Sequence, residues 1–164
     1  MKTILEAKKY LRKNFEDGVS CPCCGQFVRL YKRKLNSSMA RSLIWIVGAS
    51  RLSNDGWVDV PTEAPKWLTK TNQHTTMKWW QLLERMPNDK SYKKHSGIWR
   101  PTQKGTDFAL GKVSVPEYVL HYNDSIIGHS DSMVTIREAC GVKFDYDEMI
   151  NEYGYFNKER WLPL

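Results

Sequence analysis

An α+β fold is expected from three features of the sequence. Several stretches carry apolar residues at helical spacing behind good capping residues, short extended segments lie between turn residues, and the apolar content suits one core with small appendages. A chain of 164 residues is long enough to bury such a core, and seven tryptophans and eight tyrosines give it bulk. No apolar run approaches the roughly 18–20 residues needed to span a bilayer, and the amino terminus lacks an apolar stretch ahead of a cleavage site. A cytoplasmic location and no membrane partner are therefore expected.

Charge divides the chain into three segments. Residues 1–35 carry nine Lys or Arg against three acids, residues 36–111 eleven against six, and residues 112–164 five against nine, within a net charge of +7. A basic front joined to an acidic tail implies a surface that faces a polyanion and another that is solvated or meets a different partner. Solvated lysine faces produce the same balance, so charge alone does not choose between them.

The first helix begins at Thr3, with Glu6 three positions on forming a capping box. Ile4, Ala7, Leu11 and Phe15 share one face and Gly18 is a stop; Lys8, Lys9, Arg12 and Lys13 lie on the other, where they can follow phosphates. A short strand is expected over residues 27–31, running into the positive stretch Lys32, Arg33, Lys34. Asn36, Ser37 and Ser38 cap a helix over residues 39–49 with Met39, Leu43, Ile46 and Val47 as its buried stripe. Turn residues then surround an extended piece at residues 57–60.

Residues 75–108 follow an ordered series. Thr75-Thr76-Met77-Lys78-Trp79-Trp80 closes a helix, Leu82-Leu83-Glu84-Arg85 supplies a strand, and residues 87–95 form a loop carrying Lys90, Lys93 and Lys94. Gly97-Ile98-Trp99-Arg100 returns, and Thr102-Gln103-Lys104-Gly105 turns into a helix that ends at Gly111. This series resembles the second half of a MarR-type winged helix. The resemblance implies a winged helix-turn-helix core over residues 36–111, flanked by an N-terminal helix and cysteine knuckle and a C-terminal hairpin and short-helix extension. It further implies that residues 70–80 enter the major groove of duplex DNA, with Asn72, Gln73, His74, Thr75 and Lys78 facing out, and that Lys90, Lys93, Lys94 and Lys104 join Lys32, Arg33 and Lys34 on the backbone. Two departures stand out: Gln81 occupies the position where the family turns on a glycine, and prolines before Trp67 leave room only for a short positioning helix.

More loosely, a Cys-Pro-x-Cys-Gly knuckle, the Tyr31-Lys32-Arg33-Lys34 run and a tail with Lys143-Phe144-Asp145-Tyr146 together resemble uncharacterised bacteriophage and prophage proteins. That likeness implies a viral regulatory, replication-linked or anti-defence role. The knuckle itself, Cys21-Pro22-Cys23-Cys24-Gly25, offers Cys21 and Cys24 as ligands for Zn2+, with Cys23 awkwardly placed between them. A structural zinc takes four ligands, and the remaining candidates are the isolated His74, His95 and Cys140, so a turn without metal or a site completed by a second chain stand beside the full site.

In the tail, residues 116–120 and 125–129 read as a hairpin around Asn123-Asp124, and Thr135 with Glu138 and Asp145 with Glu148 announce helices near residues 136–140 and 146–153. Asp145, Asp147 and Glu148 are the carboxylates that a magnesium-dependent nuclease would need, although capping accounts for two of them. With no phosphate loop, nucleophile elbow or metalloprotease helix, the expectation is a DNA-binding protein and not an enzyme. A phage-type interaction module that docks on a host protein complex is the alternative, and a homodimer reading two half-sites is compatible with the first.

Overall fold

The computed structural model describes residues 3–88, 96–122 and 124–153, and the fold is α+β. The chain forms two compact units, Met1–Lys34 with Glu117–Asp131, and Leu35–Pro116 with Ser132–Leu164. The tail hairpin thus belongs with the amino-terminal segment, because one of its strands pairs with the basic run.

In the first unit, Thr3 caps helix α1 (Ile4–Asn14). Its hydroxyl accepts from the Glu6 N–H at 3.1 Å, while the Glu6 carboxylate accepts from the Thr3 N–H at 3.0 Å. Ala7 is buried and Leu11 and Phe15 are half-buried, but Ile4 is exposed, so the apolar face expected from spacing starts one turn later. Strands β1 (Val19–Ser20) and β2 (Phe27–Val28) pair antiparallel around the cysteine turn. The single strand expected over residues 27–31 is interrupted. The Leu30 N–H donates to the Phe15 carbonyl at 2.9 Å, drawing the chain out of the ladder, and pairing resumes as β3 (Tyr31–Lys34). With β8 (Tyr118–Tyr122) and β9 (Ser125–His129), β3 makes an antiparallel sheet in the order β3-β8-β9.

The second unit is organised on α2 (Ser37–Leu52). The Asn36 side chain accepts from the Met39 N–H at 2.9 Å, and Met39, Leu43, Ile46 and Val47 are all buried. The order continues with β4 (Val58–Asp59), α3 (Val60–Glu63), α4 (Lys66–Thr71), a 3-10 segment (Gln73–Trp80), β5 (Leu83–Arg85), β6 (Ile98–Pro101) and α5 (Gln103–Ala109). Its three strands form an antiparallel sheet in the order β4-β6-β5, in which Trp99 stands opposite both Val58 and Arg85. Trp99 is 1 % exposed, so the sheet is pinned to the core at its central strand.

The remaining elements close this core. β7 (Val115–Pro116) pairs with β10 (Met133–Val134), and the Pro116 carbonyl accepts from the Trp80 indole N–H at 2.7 Å. Helices α6 (Ile136–Cys140) and α7 (Tyr146–Glu152) follow, each begun by the expected cap. The Tyr146 hydroxyl donates to the Ala109 carbonyl at 2.5 Å, and burial pushes its pKa up to about 12. The Arg41 guanidinium lies 3.8 Å from the Trp67 ring centre and 5.0 Å from that of Phe144, fixing the tail against α4 through cation–π contacts. No helix among the described residues is long and apolar enough to cross a membrane.

Candidate nucleic-acid interface

The segment expected to enter a groove is built in two pieces. Helix α4 stops at Asn72, whose φ of +50° is left-handed, and the chain continues as a 3-10 run instead of an uninterrupted α-helix to residue 80. The cause is local. Asn is among the few non-glycine residues that tolerate this conformation, and it ends α4 with its N–H donating to the Leu68 carbonyl at 2.9 Å. Pro65 keeps Ala64 extended and ends α3 after four residues, and α4, begun at Pro65 and ended at Asn72, has six.

Gln81 ends the 3-10 segment with φ of +60°, adopting the left-handed turn that a glycine takes without cost. Its carbonyl accepts from the Thr102 hydroxyl at 2.6 Å, which fixes the backbone there. Relief of that strain should outweigh the added entropy of a glycine in the unfolded chain. Gln81→Gly is expected to stabilise the protein by about 1 kcal/mol in urea unfolding; an unchanged or lower midpoint would count against the strained turn.

Beyond it, β5 and β6 form a ribbon. Glu84 and Arg100 sit directly opposite and pair, the Met86 N–H donates to the Ile98 carbonyl at 2.9 Å, and the Ser96 hydroxyl donates to the Met86 carbonyl at 2.7 Å, closing the base of the loop. Lys90, Lys93, Lys94 and His95 lie outside the described residues. Thr102 caps α5 through the Gly105 N–H at 3.0 Å. A Cβ on Gly105 would stand 1.9 Å from the Leu82 carbonyl oxygen, so the first turn of α5 touches the start of the ribbon through bare backbone.

Of the residues expected to face outward, Asn72 and Lys104 are exposed and Thr75 and Lys78 are half-buried. Two corrections apply. His74 is only 3 % exposed, its ring meeting Trp99 edge-on with centroids 5.5 Å apart, so it is a core residue and not a base reader. The alternation of the 3-10 segment turns His74, Met77 and Trp80 inward together, a face that α-helical spacing does not predict. Gln73 is half-buried and its side-chain oxygen accepts from the Asn36 amide at 2.6 Å, so that oxygen holds the segment to the start of α2. Sequence reasoning passed over Lys66 and Lys70, both exposed and one turn apart on α4; their i, i+4 spacing is the signal that identifies them.

A cavity of about 400 Å³ opens beside this segment, lined in part by Val60, Asn72, His74, Arg85 and Trp99. Burial, followed by the nearby Arg85 charge, lowers the His74 pKa to about 4, so the ring is neutral near pH 7. Its Nδ1 is buried without a hydrogen-bond partner. Arg85 itself lies 4.5 Å from the Trp99 ring centre.

In the first unit, Lys32 and Lys34 are exposed on β3 and Arg33 is half-buried. The knuckle is a closed turn: the Cys21 N–H donates to the Gln26 carbonyl at 2.7 Å and the Gly25 N–H to the Cys21 carbonyl at 2.8 Å, with Gly25 at φ of +75°. Backbone N–H groups of Cys23 and then Cys24 directed at the Cys21 sulfur hold its thiol below the usual range, the environment a thiolate ligand needs. Cys140, in contrast, is buried in α6 with its thiol pushed up to about 11, chiefly by burial, and His74 is buried as well. Among the described residues no group of three or more His, Cys, Asp or Glu side chains is assembled to hold a metal ion. Of the acidic trio in the tail, Asp145 caps α7 through the Glu148 N–H at 2.8 Å, and Asp147 accepts two bonds from Arg137 at 2.7 and 3.0 Å.

The arrangement defines a mixed α+β protein with a helix-flanked ribbon in one unit and a basic three-stranded sheet in the other. No protein-family model matches the chain, and neither does any curated protein or solved structure.

Proposed function

We propose that the unit Leu35–Pro116 with Ser132–Leu164 is a winged-helix module that binds duplex DNA, in a regulatory protein of the bacteriophage type. The observation that carries this reading is the order of elements: helix α2, strand β4, short helices α3 and α4, a turn segment, then a β5-β6 ribbon whose second strand lies between the first and β4. In that order the Gln73–Trp80 segment leads directly into β5, and the loop between β5 and β6 follows it in sequence, an order that supports a groove-reading segment acting with a backbone-holding wing. Lys66, Lys70 and Lys104 are exposed on the flanking helices, and the loop between the strands carries Lys90, Lys93 and Lys94. With Gln73 partly engaged and His74 in the core, reading of bases falls to Asn72, Thr75 and Lys78, and phosphate contacts supply most of the affinity.

Titration of a fluorescent duplex at several salt concentrations tests this. Each phosphate contact contributes about 0.9 to the slope of log affinity against log salt, so changing Lys90, Lys93 and Lys94 together to Ala should flatten it by roughly two to three. An unchanged slope would remove the loop from the interface. A protein-interaction module is the second reading, favoured by Ile126 and Ile127, exposed on the edge strand β9, since such an edge invites pairing with another chain. Under that reading duplex affinity is weak at every salt concentration, so the same titration separates the two.

A further inference from the structure

The unit formed by Met1–Lys34 and Glu117–Asp131 carries a feature that duplex binding does not use. Lys8, Leu11 and Arg12 of α1 and its C-cap Phe15 fall at i, i+3, i+4 and i+7 and share a face, so Lys8 and Arg12 border the apolar stripe instead of lying opposite it as expected from the sequence. Together with Val28 of β2 and Tyr122 of β8 they line a cavity of about 310 Å³. Its lining is layered: Val28 is buried, Leu11, Phe15 and Tyr122 are half-buried, and Lys8 and Arg12 are exposed. An apolar, partly aromatic site with two cations suits a flat, apolar-faced group that carries a negative charge.

The same chemistry continues along the sheet. Strand β8 directs Tyr118, Leu120 and Tyr122 to one face, and the register places Lys34 opposite Tyr118 and Lys32 opposite Leu120 on that face. The ammonium groups of Lys32 and Lys34 lie 5.0 and 6.0 Å from the centre of the Tyr118 ring, so each cation is held over an aromatic surface. Among the described residues Glu117 lies 3.7 Å from Lys34, in a partly exposed pair that contributes little. Tyr122 and Tyr118 are four residues apart on one strand, about 13 Å at ~3.3 Å per residue. The stripe thus repeats a pattern of aromatic ring and cation over a length greater than one base.

We propose that this stripe, from the Lys8–Arg12–Tyr122 cavity to Lys32, Tyr118 and Lys34, binds single-stranded nucleic acid, one base entering the cavity to stack on Tyr122 and the phosphates following the four cations. Alternation of ring and cation is the recognition chemistry of an unpaired strand, whose bases expose faces that a duplex hides between neighbouring pairs. A folded acidic peptide would satisfy the cations and leave the aromatic cavity unfilled. The stripe lies outside the winged unit; it reassigns Lys32 and Lys34, expected from the resemblance to lie on a duplex backbone, to an unpaired strand, and the loop lysines keep the two readings separable.

The experiment uses the full chain and fluorescent 15-residue oligothymidylate and oligouridylate, with an abasic strand of equal length and charge as the third probe. Tighter binding of the oligothymidylate or of the oligouridylate identifies DNA or RNA as the preferred source of the strand. Base-bearing strands are expected to bind about tenfold or more tighter than the abasic one, since stacking on a single aromatic residue accounts for such a factor. Lys8→Glu with Lys32→Glu, both at exposed positions, should weaken binding at least tenfold, and Tyr122→Leu, which keeps an apolar side chain in the cavity, about fivefold or more. The triple alanine variant at Lys90, Lys93 and Lys94 should leave strand binding unchanged while altering the duplex titration, so failures of the two readings are distinguishable. Equal affinity for the abasic strand, unchanged binding in the folded double-glutamate variant, or no binding at low salt would each overturn the proposal.

Discussion

Gly105→Ala is expected to lower the free energy of unfolding by about 3 kcal/mol, the upper part of the range for overpacking a well-filled site. The added methyl would meet the Leu82 carbonyl oxygen at 1.9 Å, a backbone atom with no rotamer through which to escape. That oxygen is itself held: the Thr102 N–H donates to it at 3.1 Å, at the same turn where the Thr102 hydroxyl accepts from the Gly105 N–H. Relief therefore requires α5 to separate from the start of β5, which loosens the ribbon as well as the core beneath Phe108. Urea unfolding measures the change, with Lys104→Ala as a control at an exposed neighbour that should shift stability by less than about 0.5 kcal/mol. A glycine-to-alanine variant as stable as that control would mean that the helix and the ribbon do not approach through backbone. Weaker duplex binding should accompany the loss of stability, because the ribbon carries the loop lysines.

The second large effect concerns acid. His74 ordinarily titrates near 6.5, and in the folded protein burial and then the Arg85 charge lower it to about 4. Between those two values the unfolded chain binds a proton that the folded protein resists, so the stability present above pH 6.5 is lost progressively as the pH falls toward 4. At 1.36 kcal/mol per pH unit, the loss amounts to about 3 kcal/mol, and it levels off below pH 4 where both states are protonated. His121 is lowered too, chiefly by burial, and acts in the same direction. Asp55 and Asp147, which hydrogen bonds hold below the ordinary carboxylate value, lose their contributions at more acid pH. A His74→Phe variant keeps a flat ring against Trp99 and isolates the effect: its stability should be flatter than that of the unaltered protein between pH 6.5 and 4. Parallel pH profiles would show that His74 is not the buried group responsible. Since the ring borders the cavity beside the Gln73–Trp80 segment, acid should also disorder that segment first, a change visible in the fluorescence of Trp79, Trp80 and Trp99.

Local chemistry explains what could be read in advance. The caps at Thr3, Asn36, Thr102, Thr135 and Asp145 each satisfy a free N–H within three residues, so their effect is written in the sequence around them. The apolar stripe of α2 from Met39 to Val47 is buried as its spacing implies, and the turn residues at 123–124 mark the hairpin of β8 and β9. The α+β class and most element positions follow from these short-range signals.

Interactions distant in sequence decided the rest. Leu30 leaves its strand because a carbonyl fifteen positions earlier takes its N–H, and Gln73 is drawn toward the start of α2 by Asn36. His74 has the composition of a surface reader and the environment of a core residue, a distinction made by Trp99, twenty-five residues away. The grouping of the chain depends on β3 pairing with β8, a contact that joins a basic segment to an acidic one and that no local pattern encodes. The sequence by itself determined where helices begin, where turns fall and which residues are cationic, because caps, φ preferences and charge act over a few residues. Only the tertiary structure decided which of those cations share a face with aromatic rings and which polar groups are buried, because burial belongs to what packs against a residue and not to the residue itself.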